Sequence, residues 1–267
     1  MTPTDTRVRP VAARLDRWYV ASVVLATLAV LVQMAFPFTD GGTPTLTTAS
    51  VVLLSGAGLA HARATRGMRA VAALLLVPGL GGLVAEAVGV RSGVPFGEYS
   101  YTGTLGWEVL GVPVLVPLAW VMMTWPALVV ARFLAGRGRV VRALVAAWAL
   151  MAWDVFLDPQ MVDAGHWTWR FPEPALPGVE GIPLTNFAGW FVVAVLFCGL
   201  LDRVVDDAPL PLAREGVAHA VYLWTYFSSV LAHAAFFGRP SVAVVGAVVM
   251  GVVAVPLAAR LAARVRR

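Results

Sequence analysis

Eight apolar runs dominate this chain, each long enough to cross a lipid bilayer. They fall near residues 18–36, 46–62, 69–90, 112–134, 140–158, 187–205, 216–237 and 241–262. A spanning helix needs about 20 such residues, and a helix satisfies its own backbone polar groups where no water can. The expected fold is therefore all-α: a polytopic membrane bundle of about eight transmembrane helices in a single domain, 1–267. Charge agrees with length. Only 13% of the 267 residues are charged, against about 25% in an ordinary soluble domain.

The arginines orient the bundle. All 20 basic residues are Arg. With the N-terminus in the cytoplasm, the loops on that side hold Arg7, Arg9, Arg14, Arg17, Arg63, Arg66, Arg69, Arg132, Arg137, Arg139, Arg142, Arg203, Arg214, Arg260, Arg264, Arg266 and Arg267. Only Arg91, Arg170 and Arg239 fall outside, as the positive-inside rule asks. Both termini are then cytoplasmic, 1–17 is a cytoplasmic segment, and the longest loops, 91–111 and 159–186, face outward. No cleavage site follows the first apolar run, which reads as an uncleaved span of a multi-pass cell-membrane protein. The net charge of +5 does not point to nucleic acid, because the arginines punctuate apolar runs. Cys198 is the single cysteine, which excludes an internal disulfide and a cysteine metal cage.

The acids gather at the other side. Glu86, Glu98, Glu108, Asp154, Asp158, Asp163, Glu173 and Glu180, with Asp40, lie in the outer loops or the outer membrane half. Asp154 and Asp158 are four apart, so they share a helix face. An acid inside a span costs about 2.5–3.5 kcal/mol on insertion scales, and such groups normally face the bundle interior with a purpose. Asp158 precedes Pro159, and a helix-ending turn is its bland explanation. Asp154 lies a full turn deeper, where no turn is needed. Glu86 shares a stripe with Gly79, Gly82 and Gly89, where a neighbouring helix can approach closely; pairing with Arg91 is its alternative. In the seventh run His219, Tyr222, Tyr226, Ser229 and His233 form one arc at helical spacing, the histidines reading as packing residues.

Two stretches rhyme. GVPVLVPLAW (111–120) and GIPLTNFAGW (181–190) each open a span with Gly-aliphatic-Pro and reach a tryptophan at the same distance. The loops before them carry Tyr99-Ser-Tyr101 and Trp167-Thr-Trp169. Alternate residues of an extended segment point the same way, so each pair can present two rings to one surface. Spans three to four and five to six then read as related hairpins facing one another. P-loop, HExxH, DDxxD and dinucleotide-binding patterns are missing from the sequence, so neither a metal nor another cofactor is expected.

The stretches GVPFGEYSYTGTLG (93–106), GVPVLVPLAWVMM (111–123), WDVFLDPQMVDAGHWTW (153–169) and GIPLTNFAGWF (181–191) resemble the carotenoid-biosynthesis membrane proteins that include the bisanhydrobacterioruberin hydratase group. The resemblance runs over roughly 70–235. It implies addition of water, without a cofactor, to the terminal isopropylidene double bond of an acyclic carotenoid end group, giving a tertiary alcohol. The chemistry then assigns roles by position. A carboxyl in apolar surroundings keeps its proton and can act as an acid at neutral pH, while a second carboxylate holds the water and takes its proton. Asp154 is the expected general acid and Asp158 or Glu86 the base, an assignment that can be exchanged. Glu98, with Tyr99 and Tyr101, would close the site. Trp107, Trp153, Trp167 and Trp169 are candidate rings for the carbocation, Asn186 a partner for water, and Tyr222 and Tyr226 further substrate contacts. The lipophilic substrate would arrive laterally from the bilayer, through a groove at the small residues of span three. Membrane lipid and other enzymes of the same pathway are the remaining expected partners. A proton-coupled transporter is the competing class; acids near one membrane face and repeats in one orientation count against it.

Overall fold

The computed structural model describes residues 16–39, 42–136 and 138–266. The charges at Arg7, Arg9, Arg14, Asp40, Arg137 and Arg267 lie outside them. Among the described residues eight long helices follow in order: α1 (Arg17–Gln33), α2 (Pro44–Arg66), α3 (Met68–Ser92), α4 (Leu115–Ala135), α5 (Arg139–Asp163), α6 (Leu184–Val204), α7 (Leu212–Ala235) and α8 (Pro240–Val265). Seven of these are long and apolar enough to cross a membrane. The exception is α7, where Arg214, Glu215, His219 and His233 interrupt the apolar surface. The protein is an all-α polytopic membrane bundle.

Burial ranks the helices. Two-thirds of the apolar window in α4 and in α5 is covered by protein, against about a tenth in α1. The core thus centres on α4 and α5, with α6, α7 and α8 packed around them and α2 holding α1 at the edge. The exposed valines and leucines of α1 and α8, such as Val24, Leu31, Val244 and Val248, form an outer apolar surface. In α3 the helix widens into a π turn over Leu75–Leu80, around Pro78, whose ring supplies no N–H to a regular ladder.

The loop end is where the structure departs most from expectation. Helix α5 does not stop at Asp158 but runs through Pro159 to Asp163, so Asp158 is a helical residue and not a turn. The long loops accordingly span 93–114 and 164–183. Each contributes a short strand to a shared ribbon. Strand β1 (Tyr99–Tyr101) pairs antiparallel with β4 (Trp167–Trp169), in the register Tyr99 with Trp169, Ser100 with Thr168 and Tyr101 with Trp167. Two smaller pairings, β2 (Glu108–Val109) with β3 (Val112–Pro113) and β5 (Ala175–Leu176) with β6 (Val179–Pro183), tie down the rest.

The rhyming hairpins do face one another. The ribbon joins them at the loops, and deeper in the bundle the two equidistant tryptophans, Trp120 and Trp190, stack with centroids 3.9 Å apart and planes 9° from parallel. The glycines of α3 serve this packing. A Cβ on Gly82 would lie 2.9 Å from the Trp120 indole, and one on Gly89 would lie 2.8 Å from Phe96 and 2.9 Å from the Tyr99 hydroxyl. Aromatic rings fill the stripe at Gly82 and Gly89, and Val121 meets it at Gly79.

Candidate active site

Side chains alternate along the ribbon, so Tyr99, Tyr101, Trp167 and Trp169 turn inward while Ser100 and Thr168 face out. Beneath them lies a cavity enclosing about 630 Å³ of atom-free space, its mouth included. Only about 60 Å³ of it is wide enough for the centre of a water molecule, a narrow slot with room for a few waters at roughly 10–15 Å³ each. The four ribbon rings, Phe96, Trp153 and Trp190 wall it, and Thr47, Val51, Leu115, Val116 and Ala119 close its side toward α2 and α4. The polar groups reaching it include Glu86, Asp158 and Asn186.

Glu86 on α3 is 4% exposed and is held by donors. Tyr99 donates to Oε2 at 2.5 Å, Tyr101 to the same oxygen at 2.9 Å, and the Trp120 indole to Oε1 at 3.0 Å. Burial first, and then the neighbouring Glu86, push both tyrosine hydroxyls above the ordinary phenol range, so both remain donors. A carboxylate surrounded by three donors is arranged to accept. Arg91 does not pair with it; its guanidinium donates instead to the Ala87 carbonyl, at 2.8 Å.

Asp158 also reaches the cavity, with Asp154 one helical turn behind it; they are 2% and 0% exposed. One amide nitrogen ties them together: Asn186 Nδ2, on α6, donates to Asp154 Oδ2 at 2.8 Å and to Asp158 Oδ2 at 2.5 Å. Trp167 donates to Asp158 Oδ1 at 3.2 Å. Asp154 Oδ1 is buried and has no hydrogen-bond partner among the described residues. Among those residues no arginine forms an ion pair with any of the three carboxyls. Two bare negative charges on one amide, in apolar walls, repel strongly. Sharing a proton relieves that repulsion. The arrangement can therefore give a proton and accept one within a narrow apolar slot.

The structure separates the expected site residues into two groups. Glu86, Asp158, Tyr99, Tyr101, Trp153, Trp167, Trp169 and Asn186 meet at the cavity. Asp154 stands directly behind, reaching it through Asn186 and Asp158. The others lie elsewhere. Glu98 is exposed and pairs with Arg170 at 3.2 Å, because its position in the ribbon alternates with Tyr99 and turns it outward. Trp107 is 88% exposed on the β2–β3 side of the loop. Tyr222 and Tyr226 stay within the helix bundle, their hydroxyls donating to the carbonyls of Ala149 and Ala247. His166 braces the ribbon: its Nδ1 meets the Thr104 hydroxyl at 2.7 Å, and burial lowers its pKa, which keeps it neutral. Phe96, Trp120 and Trp190 were not expected at the site. The shared spacing of the two tryptophans from Gly-Val-Pro and Gly-Ile-Pro was the signal that pointed to them.

Residues 42–254 match the model of a family described as carotenoid biosynthesis protein. The chain is also 31% identical, over 150 residues, to a bisanhydrobacterioruberin hydratase from Haloarcula japonica, covering 52% of this chain and 50% of that one. It thus spans about half the length of that curated relative. No solved structure matches.

Proposed function

This chain belongs to the carotenoid biosynthesis protein family, and from that premise we propose that it hydrates the terminal isopropylidene double bond of an acyclic carotenoid end group. The observation that carries the reading is the pair of buried carboxyls, Glu86 and Asp158, facing one aromatic slot with Asp154 behind, each held by neutral donors. Similarity to a protein named as a hydratase supports the reaction class. The polyene end group reaches the slot from the bilayer, and the aliphatic lining contributed by α2 and α4 suits it.

In the proposed reaction, the proton shared by Asp154 and Asp158 passes from the cavity-facing Asp158 to the CH carbon of the alkene. The π pair becomes the new C–H bond, and the positive charge falls on the carbon bearing two methyls. The faces of Trp153, Trp167, Trp169 and Trp190 surround that carbon, and each cation–π contact is worth about 0.5–2 kcal/mol. A water held by Glu86 then forms the C–O bond and gives its proton to the Glu86 carboxylate. Return of that proton to the aspartate pair closes the cycle with one water consumed and nothing oxidised or reduced. Asn186 keeps the pair in register. The distribution of arginines supports a cell-membrane protein whose reaction end faces outward, with both termini in the cytoplasm.

The test is chemical. The full chain, expressed in a host that accumulates the unhydrated acyclic carotenoid, should yield a pigment one water heavier and more polar on chromatography. Stable accumulation of the protein with the pigment unchanged in mass would overturn the reading.

A further inference from the structure

The β1–β4 ribbon has two faces, and each covers an opening. Behind it, on the side away from the carboxyls, lies a polar depression enclosing about 920 Å³ of atom-free space, its open mouth included. Arg91, Ser92, Glu98, Ser100, Thr168 and Arg170 line it, with the Glu98–Arg170 ion pair exposed at its edge. Tyr99 and Trp169 line both this depression and the slot. The partition between a wet surface and a dry site is therefore one ring thick, and one of its rings, Tyr99, holds Glu86 by its hydroxyl.

A hydratase consumes water at a place built to exclude it. While a polyene end group occupies the slot, the polyene itself fills the apolar side through which it entered, and lipid beyond that side carries no water. Water must come another way. We infer that the polar depression is that way: it delivers water past the Tyr99–Trp169 partition to Glu86. This inference rests on the hydratase reading. The molecule delivered is the one whose oxygen bonds to the cationic carbon and whose proton Glu86 takes up, so the route adds no reactant to the balance.

Ser100 lies at the centre of the ribbon and faces the depression, and the single native cysteine, Cys198, is fully buried. A thiol placed at Ser100 is therefore the target of a bulky, charged methanethiosulfonate reagent. Full-length Ser100→Cys, in membranes supplied with the acyclic carotenoid, should hydrate it within about twofold of the parent before modification. After modification kcat should fall about tenfold or more, equivalent to about 1.4 kcal/mol of barrier, while KM for the polyene stays unchanged and a reducing agent restores the rate. Ser92→Cys, on the same depression, is the second variant should Ser100→Cys fail to accumulate. Complete modification with an unchanged rate would overturn the inference, as would a loss appearing in KM alone, which indicates a distorted slot. A parent protein with no hydration activity would instead defeat the functional reading.

Discussion

At the end of the bundle opposite the ribbon, buried acids are met by arginine. Asp202, 1% exposed at its side chain, receives Arg132 at 2.8 Å and Arg142 at 3.0 Å, and the partly buried Glu215 pairs with Arg66 at 3.0 Å. At the ribbon end Asp154, Asp158 and Glu86 are buried just as deeply, and their partners are an amide, two phenols and two indoles. The same residue type serves two purposes. An ion-paired acid has its charge fixed by its partners, so it fastens helices together. An acid held only by neutral donors keeps its proton negotiable, and that is the property acid–base chemistry needs.

Substitutions at the two ends should therefore fail differently. The largest effect is expected at the ribbon end: Asp158→Asn, Asp154→Asn and Glu86→Gln should each reduce hydration by about 10²–10⁴-fold, with protein yield and thermal unfolding in detergent little changed. Undiminished product from a stable Asp154→Asn variant would remove that residue from the mechanism. Next comes Asp202→Asn, which takes the counter-charge from Arg132 and leaves Arg142 only the exposed Asp207. It should cost about 3–5 kcal/mol of stability, seen as a lower unfolding temperature, while the folded fraction keeps its turnover. If Asp202→Asn instead stopped turnover without loss of stability, the contrast between the ends would be broken.

Smaller changes sharpen it. Gly89→Ala drives a methyl into Phe96 and the Tyr99 hydroxyl, and overpacking of this kind costs about 1–3 kcal/mol; because it displaces the Tyr99 contact to Glu86, activity should fall along with the unfolding temperature. Tyr99→Phe keeps the ring and removes one donor, an effect of about 1.5–3 kcal/mol if Glu86 is charged and about 0.5–1.5 if it is not, read from kcat against KM. The least is expected at Asp207, whose exposed carboxyl meets Arg142 at 3.0 Å. The hydrogen bond from Arg142 lowers its pKa, so its contribution is present at neutral pH and disappears only as pH falls through that lowered value. Asp207→Asn should shift stability by less than about 1 kcal/mol, and thermal unfolding at neutral and acidic pH checks both size and sign.

Several features of the site are legible in the residue order. The four-residue spacing of Asp154 and Asp158 puts them on one face, and the alternation in Tyr99-Ser-Tyr101 and Trp167-Thr-Trp169 puts two rings on each inner surface. The same alternation, carried one residue back, turns Glu98 outward, so its exclusion is legible too. Pro159 misleads because proline usually marks a helix end, yet α5 continues past it. The glycines of α3 signal close approach without saying what approaches. Aromatic rings from the neighbouring loop and helix fill that space.

Sequence alone determined the eight helices and the membrane character of the bundle, because bilayer thickness sets segment length and hydrocarbon excludes charge, and both are local properties. Only tertiary structure decided that the two loops pair as one ribbon, that Trp120 stacks on Trp190, and that Glu86 and Asp158 meet at a single slot. Those contacts join residues some seventy positions apart, and no local preference specifies them. They arise because two hairpins bury their rings against each other and leave three acids, held by neutral donors, in the space between.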